Sequence, residues 1–127
     1  MTVHDGEMPE EQRRALEAKI DDWEARAHAA QARAAQAYAR LLELAETRDS
    51  GQIKRIAGFL ASTYNGQAFA WDPFELRGLD VEIGDDMLAC LDALRWAKAD
   101  LHLLVPLGEK RVLAVIELWG LQWPTSE

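Results

Sequence analysis

The chain of 127 residues has little of what many secreted, catalytic and nucleic-acid-binding proteins depend on. It contains one cysteine, Cys90, which excludes an intramolecular disulfide framework. Positive charge is also scarce, because 14 lysines and arginines face 22 aspartates and glutamates, giving a formal net charge of −8. Binding to phosphate backbones or anionic lipids depends on excess positive charge. The composition therefore argues against direct nucleic-acid or membrane-surface binding and favours a neutral or basic protein partner.

Long apolar runs are missing as well. A membrane-spanning helix needs about 20 mostly apolar residues, and the longest candidates here are interrupted by proline, glycine and charged residues. The first residues, MTVHDGEMPEEQ, lack the basic and then apolar order of a secretory signal peptide. Together with the single cysteine, these features predict a cytoplasmic protein.

Glycine and proline do not occur between Pro9 and Arg48, where alanine is frequent. Pro9 fits the first turn of a helix, and the two glutamates after it suit the end at which the helix dipole favours negative charge. The pattern predicts one helix of about 40 residues, roughly 60 Å long. The composition then changes, since seven of the eight glycines and four of the five tryptophans follow. We predict a long helical arm, residues 1–48, and a compact helical domain, residues 49–127.

Apolar residues along the predicted arm step alternately by four and three positions, the spacing of a coiled-coil seam. The seam consists of Leu16, Ile20, Trp23, Ala27, Ala30, Ala34, Ala37, Leu41 and Leu44. Four consecutive alanines in its middle would let another helix approach closely. Two interpretations stay open: the seam binds another chain, or it packs on the chain's own second part. Under the first, the candidate partner-binding residues are Leu16, Ile20, Trp23, Ala27, Ala30, Ala34 and Leu41.

Basic residues recur every seven positions beside the seam, at Lys19, Arg26, Arg33 and Arg40. In a parallel homodimer, Lys19 would face Glu24 of the second chain. The arm is acidic in its first half and basic in its second, however, which favours antiparallel pairing. The sequence leaves the orientation of a homodimer open.

The second part of the chain carries start and stop signals of short helices. Ser50 is a predicted cap, and Asp72-Pro73 with Glu75 forms a predicted capping box. The aromatic residues around this second start are predicted to belong to the core. The predicted helices run from Ser50 to Tyr64, from Pro73 onward, from Asp85 to Lys98, and from Glu109 to Trp119.

The fold is therefore predicted to be all-α. An α+β fold is the alternative, because Val112–Ile116 is rich in residues that favour strands and Leu101–Val105 could pair with it. The segment Leu79–Ile83 alternates apolar and acidic residues, as an edge strand does.

Groups that could bind a metal or carry catalysis are scattered. His4, His28 and His102 lack metal-site spacing, and no glycine-rich phosphate loop is present. An acidic cluster at residues 80–86 has glycine where a calcium loop would need a ligand. Cys90 stands among apolar residues, which predicts a buried, inert thiol. We expect no metal, cofactor or catalytic residue, and we keep a small enzyme using Cys90, with His102 as base, as an alternative.

Two further surface features are candidates for partner binding. Asp85 and Asp86 suit the cap and the first turn of the predicted third helix, whereas Asp80 and Glu82 form either a solvated face or a docking patch for a basic partner. Trp123, near the end of the sequence, either packs on the core or inserts into a partner, because tryptophan is frequent in binding hot spots.

Four short stretches resemble landmarks of a small uncharacterised bacterial family whose members travel on plasmids and integrative conjugative elements. The resemblance covers residues 41–123 and leaves most of the long helix outside. It implies a mobile-element accessory role and no catalytic residue. The stretches are Leu79-Asp80-Val81, Leu94-Arg95-Trp96, Leu104-Val105-Pro106 and Glu117-Leu118-Trp119-Gly120-Leu121.

These observations favour a non-enzymatic protein–protein interaction module of a mobile element, which docks to a protein partner or self-associates as a homodimer. The alternative from the same features is an acidic, anti-CRISPR-like inhibitor that covers a basic nucleic-acid-binding surface of host or defence machinery.

Overall fold

A single helix, α1, runs from Glu10 to Thr47 and is the longest element of the computed structural model, which describes residues 8–96 and 98–125. It begins directly after Pro9, whose carbonyl oxygen accepts a hydrogen bond from the backbone N–H of Arg13. Without internal glycine or proline, nothing in the sequence interrupts the helical hydrogen-bond ladder. The predicted long helix is confirmed.

Helix α2, Gly51–Tyr64, begins where the sequence predicts. The hydroxyl oxygen of Ser50 accepts a hydrogen bond from the backbone N–H of Ile53, which satisfies one of the donors left free at a helix start. At the other end, the side-chain oxygen of Asn65 accepts hydrogen bonds from the backbone N–H groups of Gln67 and Ala68. The apolar face of α2 is buried.

A short 3₁₀ turn, Pro73–Leu76, follows, and Asp72 caps it by accepting from the backbone N–H of Phe74 at 2.9 Å. Of the neighbouring aromatics, Phe69 is buried and Trp71 packs edge-on against Phe59. Phe74 is exposed, because the turn directs it away from the core. Its prediction as a core residue was wrong.

Helix α3 spans Val81–Leu94 and not Asp85–Lys98 as predicted. Its buried residues Ile83, Met87 and Cys90 follow the four-and-three spacing of a helix, so the alternation at the start of this stretch does not make a strand. At the far end the chain tightens into a turn in which Trp96 N–H bonds to the Ala93 carbonyl.

Helix α4, Gly108–Leu118, is reached through a 3₁₀ turn, Leu101–Leu104. Leu107 adopts a left-handed conformation with φ of 58°, and a Cβ on Gly108 would lie 1.8 Å from the His102 carbonyl oxygen. The corner therefore requires glycine. Because the two segments of the alternative strand pair are helical, the α+β prediction was wrong, and the described residues contain no strand.

The core forms around the second half of α1, which contacts α3, α2 and α4. The predicted boundary at residue 48 marks the end of α1, yet the buried face of that helix between Ala34 and Ala45 belongs to the main core cluster. Among the described helices, none combines the length and apolar content needed to cross a membrane. The largest fully buried side chains include Tyr38, Phe59, Leu41, Leu42, Ile56, Leu60 and Met87.

Candidate functional site

The structure divides the seam of α1 into two parts with different surroundings. From Ala27 to Leu41, its members are at most 1% exposed, because the chain's own α3, and Trp96 in the turn after it, lie along them. The interpretation in which the seam packs on the chain's own second part describes this half. The candidate residues Ala27, Ala30, Ala34 and Leu41 are therefore covered within the chain, since alanine lets α3 approach α1 closely.

The other part of the seam is open to solvent. Leu16, Ile20 and Trp23 are 44%, 48% and 47% exposed, and every residue from position 8 to 26 is exposed. We call residues 10–26 the projecting segment and the residues Leu16, Ile20 and Trp23 the exposed stripe. At 1.5 Å per residue the projecting segment is about 25 Å long.

A tryptophan pair marks the junction between the projecting segment and the rest of the molecule. The Trp23 ring meets the Trp96 ring edge-on, with centroids 5.7 Å apart and an interplanar angle of 62°. Trp96 in turn forms a small buried cluster with Ala27 and Ala30. Aromatic pairs in this geometry add about 0.5–1.5 kcal/mol beyond the area they bury.

Charged side chains surround both rings of the pair. The Nζ atom of Lys98 lies 4.9 Å from the Trp23 centroid and donates a 2.9 Å hydrogen bond to Glu24. The guanidinium groups of Arg26 and Arg95 lie 5.3 and 4.9 Å from the Trp96 centroid. These cation–π and ionic contacts tie α1 to the turn after α3, so the direction of the projecting segment is fixed where it leaves the core.

The basic residues beside the covered seam bind acids of α3. Arg40 forms two hydrogen bonds with Asp86, of 3.0 and 2.8 Å, and Arg33 contacts Asp92 at 3.4 Å. Asp86 lies within α3, so its prediction as a first-turn acid was wrong. Because Arg40 and Asp86 are far apart in sequence, this pair joins α3 to α1 across the molecule.

The predicted acidic patch lies at the start of α3. The carboxylate of Asp80 accepts a hydrogen bond from Gln52 at 3.3 Å, and the Asp80 N–H donates to the same side chain, so Asp80 joins α3 to α2. Glu82 is exposed beside an open groove of about 620 Å³ that also contains Glu43, Arg48 and Asp85. The groove carries charges of both signs.

Trp123 packs against the core on one side and is partly exposed on the other. Its ring meets buried Phe69 edge-on at 4.7 Å, while 44% of the side chain stays exposed. It lies beside a shallow depression lined by Leu113, Ile116 and Leu121.

The groups considered for catalysis are sealed or isolated. Cys90 is fully buried, and burial, reinforced by the nearby charge of Asp86, raises the pKa of its thiol to about 12. A thiol with this pKa is protonated at neutral pH and is a poor nucleophile. His102 packs edge-on against Tyr64 at 5.1 Å. His4 lies outside the described residues, and within them no three His, Cys, Asp or Glu side chains are grouped to hold a metal ion.

The same core that seals the thiol holds a buried phenol. Tyr38 is fully buried, and burial raises the pKa of its hydroxyl to about 12. The hydroxyl lies 3.1 Å from Thr63 Oγ1, which itself donates to the Leu60 carbonyl, so Tyr38 donates in this contact. Tyr38 thereby joins α1 to α2.

The model of a family described as Family of unknown function (DUF7673) matches residues 35–120. The chain belongs to DUF7673. The match includes α2, α3 and α4 entirely and begins inside α1, so the projecting segment lies outside it. The expected relation to an uncharacterised family over this part of the chain is confirmed. Searches of the curated proteins and of the solved structures find no match to this DUF7673 chain.

Two residues of the junction, Trp96 and Lys98, were not among the candidates from the sequence. In the sequence, Trp96 belongs to the predicted third helix and to one of the landmark stretches, and nothing in its spacing shows that it would reach Trp23. A signal was present in the seam itself, whose bulky members Leu16, Ile20 and Trp23 lie apart from the alanines that fit against a helix.

Proposed function

We propose that this DUF7673 chain is a non-enzymatic interaction module that binds a protein partner through the exposed stripe of the projecting segment. The observation that carries the proposal is the half-exposed Leu16, Ile20 and Trp23 on a helix held in place by the Trp23–Trp96 pair. Burying an apolar side chain of this size is worth about 1.5–3 kcal/mol. Covering the exposed part of three such side chains would therefore supply a useful share of a binding free energy.

The weak stabilisation of the projecting segment within the chain supports the same proposal. An isolated helix of this length is marginal in water, because its stability depends on propensity alone. The projecting segment adds local ion pairs, in which Glu10 accepts from Arg13 and Arg14, and Asp22 contacts Arg26. Such exposed pairs contribute about 0.3–0.5 kcal/mol each. A partner that covers the stripe would stabilise this part of α1 as the core stabilises the rest.

The biological setting of the proposal is an accessory or regulatory role on a mobile genetic element, in the cytoplasm. It is supported by the resemblance of the landmark stretches to a plasmid-borne family, and by a net charge of −8, which suits a protein partner better than a nucleic acid.

The proposal is tested by affinity purification of the tagged chain from its natural host. We compare the unaltered chain with Ile20→Asp, which places a charge in the exposed stripe. The matched control is Leu88→Asp on α3, since Leu88 is also apolar, helical and about half exposed, at 53% against 48%. We expect a stoichiometric partner with the unaltered chain and the control, and at least about a tenfold loss with Ile20→Asp.

Circular dichroism is used to check that both variants keep their helix content. A partner that Ile20→Asp retains in full would contradict the proposal.

The second candidate function is an acidic inhibitor that covers a basic surface of a nucleic-acid-binding complex. It is favoured by the exposed acids Glu43, Glu82 and Asp85 around the open groove. Binding of this kind weakens as salt rises. We expect Glu82→Lys with Asp85→Lys to abolish it, whereas Ile20→Asp leaves it intact; binding to a basic partner that does not respond to salt would exclude this function.

A further inference from the structure

The exposed stripe is flanked by charges of opposite sign. On one side, glutamates recur every seven residues at Glu10, Glu17 and Glu24. On the other side lie Lys19 and Arg26, also seven residues apart. In a helix with this seam, the two rows border the apolar stripe along its whole length, as the charged positions of a coiled coil do.

Part of each row is engaged within the chain and part is free for a partner. Glu24 bonds to Lys98, and Arg26 contacts Asp22 and the Trp96 ring. Glu17 and Lys19 are exposed and form no ion pair within residues 8–96 and 98–125. The centre of the projecting segment therefore presents an acid and a base on opposite sides of Leu16 and Ile20.

Parallel pairing of two copies through this stripe is opposed by the position of α3. Two helices in contact lie about 8–10 Å apart. Parallel copies that touch along residues 16–23 would continue side by side past Ala27, where first Trp96 and then α3 already occupy the same face of α1. The α3 helix of each copy would have to occupy the space of the other copy's α1.

Antiparallel pairing of two copies avoids α3, but only residues 10–26 remain available for it. In an antiparallel pair each flank faces the same flank of the other helix. Glutamates would then meet glutamates along one side, and Lys19 would meet its own equivalent on the other. Like charges placed opposite each other destabilise such a pair.

We infer that the projecting segment binds an amphipathic helix from a different protein, one that carries acidic side chains along one flank and basic side chains along the other. The inference rests on the proposed function and specifies its partner. The chain contains its own precedent, because α3 covers the same seam with Asp86 and Asp92 facing Arg40 and Arg33. Those arginines continue the row that begins with Lys19 and Arg26, so a partner helix with acids on that side repeats the α3 arrangement on the exposed stripe.

The test uses the full chain and synthetic helices of about 18 residues, long enough to cover the projecting segment. Three peptides share a leucine seam and differ only in their flanks: one acidic and one basic flank, two acidic flanks, or two basic flanks. At physiological salt we expect the mixed peptide to bind the unaltered chain about tenfold more tightly than either of the others. Ile20→Asp removes binding of all three, whereas Leu88→Asp does not.

A variant with a changed peptide preference provides the decisive test. Glu10→Lys with Glu17→Lys replaces two of the three glutamates on the acidic flank and leaves only Glu24, which bonds to Lys98, so the preference should move to the peptide with two acidic flanks. The unaltered chain, analysed alone by sedimentation at increasing concentration, should show no dimer that depends on Ile20. Equal binding of the three peptides, an unchanged preference of the double variant, or a dimer that Ile20→Asp dissociates would overturn the inference.

The two proposals fail in different ways. If Ile20→Asp loses the partner captured from the host but the peptides are not discriminated, the helix inference falls and the proposed function stands. If Ile20→Asp keeps that partner in full, the proposed function falls and this inference falls with it.

Discussion

The two halves of α1 come from one uninterrupted, alanine-rich sequence and one continuous seam, yet only the second half is buried. Where the seam consists mainly of alanine, α3 approaches closely and covers it. Where the seam carries Leu16, Ile20 and Trp23, each side chain is almost half exposed, and Trp23 is covered only in part, by Trp96 and Lys98. Large side chains need a partner that leaves room for them, and small ones fit against a close helix. The comparison shows how one helix can complete a core and present a surface.

The largest expected effect is a pH dependence of the unfolding free energy that comes from the buried half of α1 and its core, and not from the projecting segment. The pKa of Cys90 and that of Tyr38 are raised from 9.0 and 10.0 to about 12, because both side chains are buried. The folded state thus favours the neutral forms, and this stability is complete below pH 9 and lost as the pH rises towards 12. Urea titrations should show unfolding free energy falling by about 4 kcal/mol between pH 8 and 11.

Cys90→Ala removes the thiol and should flatten the fall between pH 9 and 10, leaving the later loss due to Tyr38. Ile20→Ala, in the projecting segment, should leave the whole profile unchanged. Stability that stays constant from pH 9 to 11 would contradict the burial of both groups.

The next effect compares a buried leucine of the seam with an exposed one. Leu41→Ala opens a cavity in the core and should cost about 3 kcal/mol of unfolding free energy. Leu16→Ala removes the same atoms from a side chain that is 44% exposed and should change stability by less than about 0.5 kcal/mol. Both are measured by urea unfolding at pH 7. Equal costs would mean that the projecting segment is buried in the isolated protein, and would break the comparison.

The smallest effect concerns the ion pairs of the two halves. A double-mutant cycle with Arg40→Gln and Asp86→Asn should give a coupling of up to about 1 kcal/mol, because the Asp86 side chain is only 14% exposed. The pair of Arg14 with Glu10, exposed at both ends, should give less and should vanish in high salt. A larger coupling free energy for the Arg14–Glu10 pair than for the Arg40–Asp86 pair would contradict this prediction.

The local signals in the sequence predicted most of the helices, because each acts through neighbouring residues. Ser50 and Asp72 cap the elements that follow them, as their hydrogen bonds show. Helix α4, Gly108–Leu118, lies within one residue of its predicted bounds. Capping chemistry and apolar spacing are short-range properties, so a single sequence contains them.

Contacts between distant residues were not predictable in the same way. The start of α3 was placed four residues late because Asp85 and Asp86 look like helix-start acids, whereas Asp86 is needed inside the helix to bind Arg40. The spacing of the seam likewise indicated that α1 packs against another helix, but it did not show at which residue the buried part of the seam ends. That limit depends on the turn that brings Trp96 against Trp23, a contact between residues far apart in sequence.

Because α1 is continuous, the direction in which the exposed stripe faces depends on the number of residues between it and the core. Each residue turns a helix by about 100°, so one residue inserted between Trp23 and Ala34 would swing the stripe to another side of the molecule. Seven inserted residues would nearly restore its heading and carry it about 10 Å farther out. Because Ala27 and Ala30 pack on Trp96 within this stretch, either insertion would also separate the Trp23–Trp96 pair, whereas the part of α1 inside the DUF7673 match would keep its place in the core.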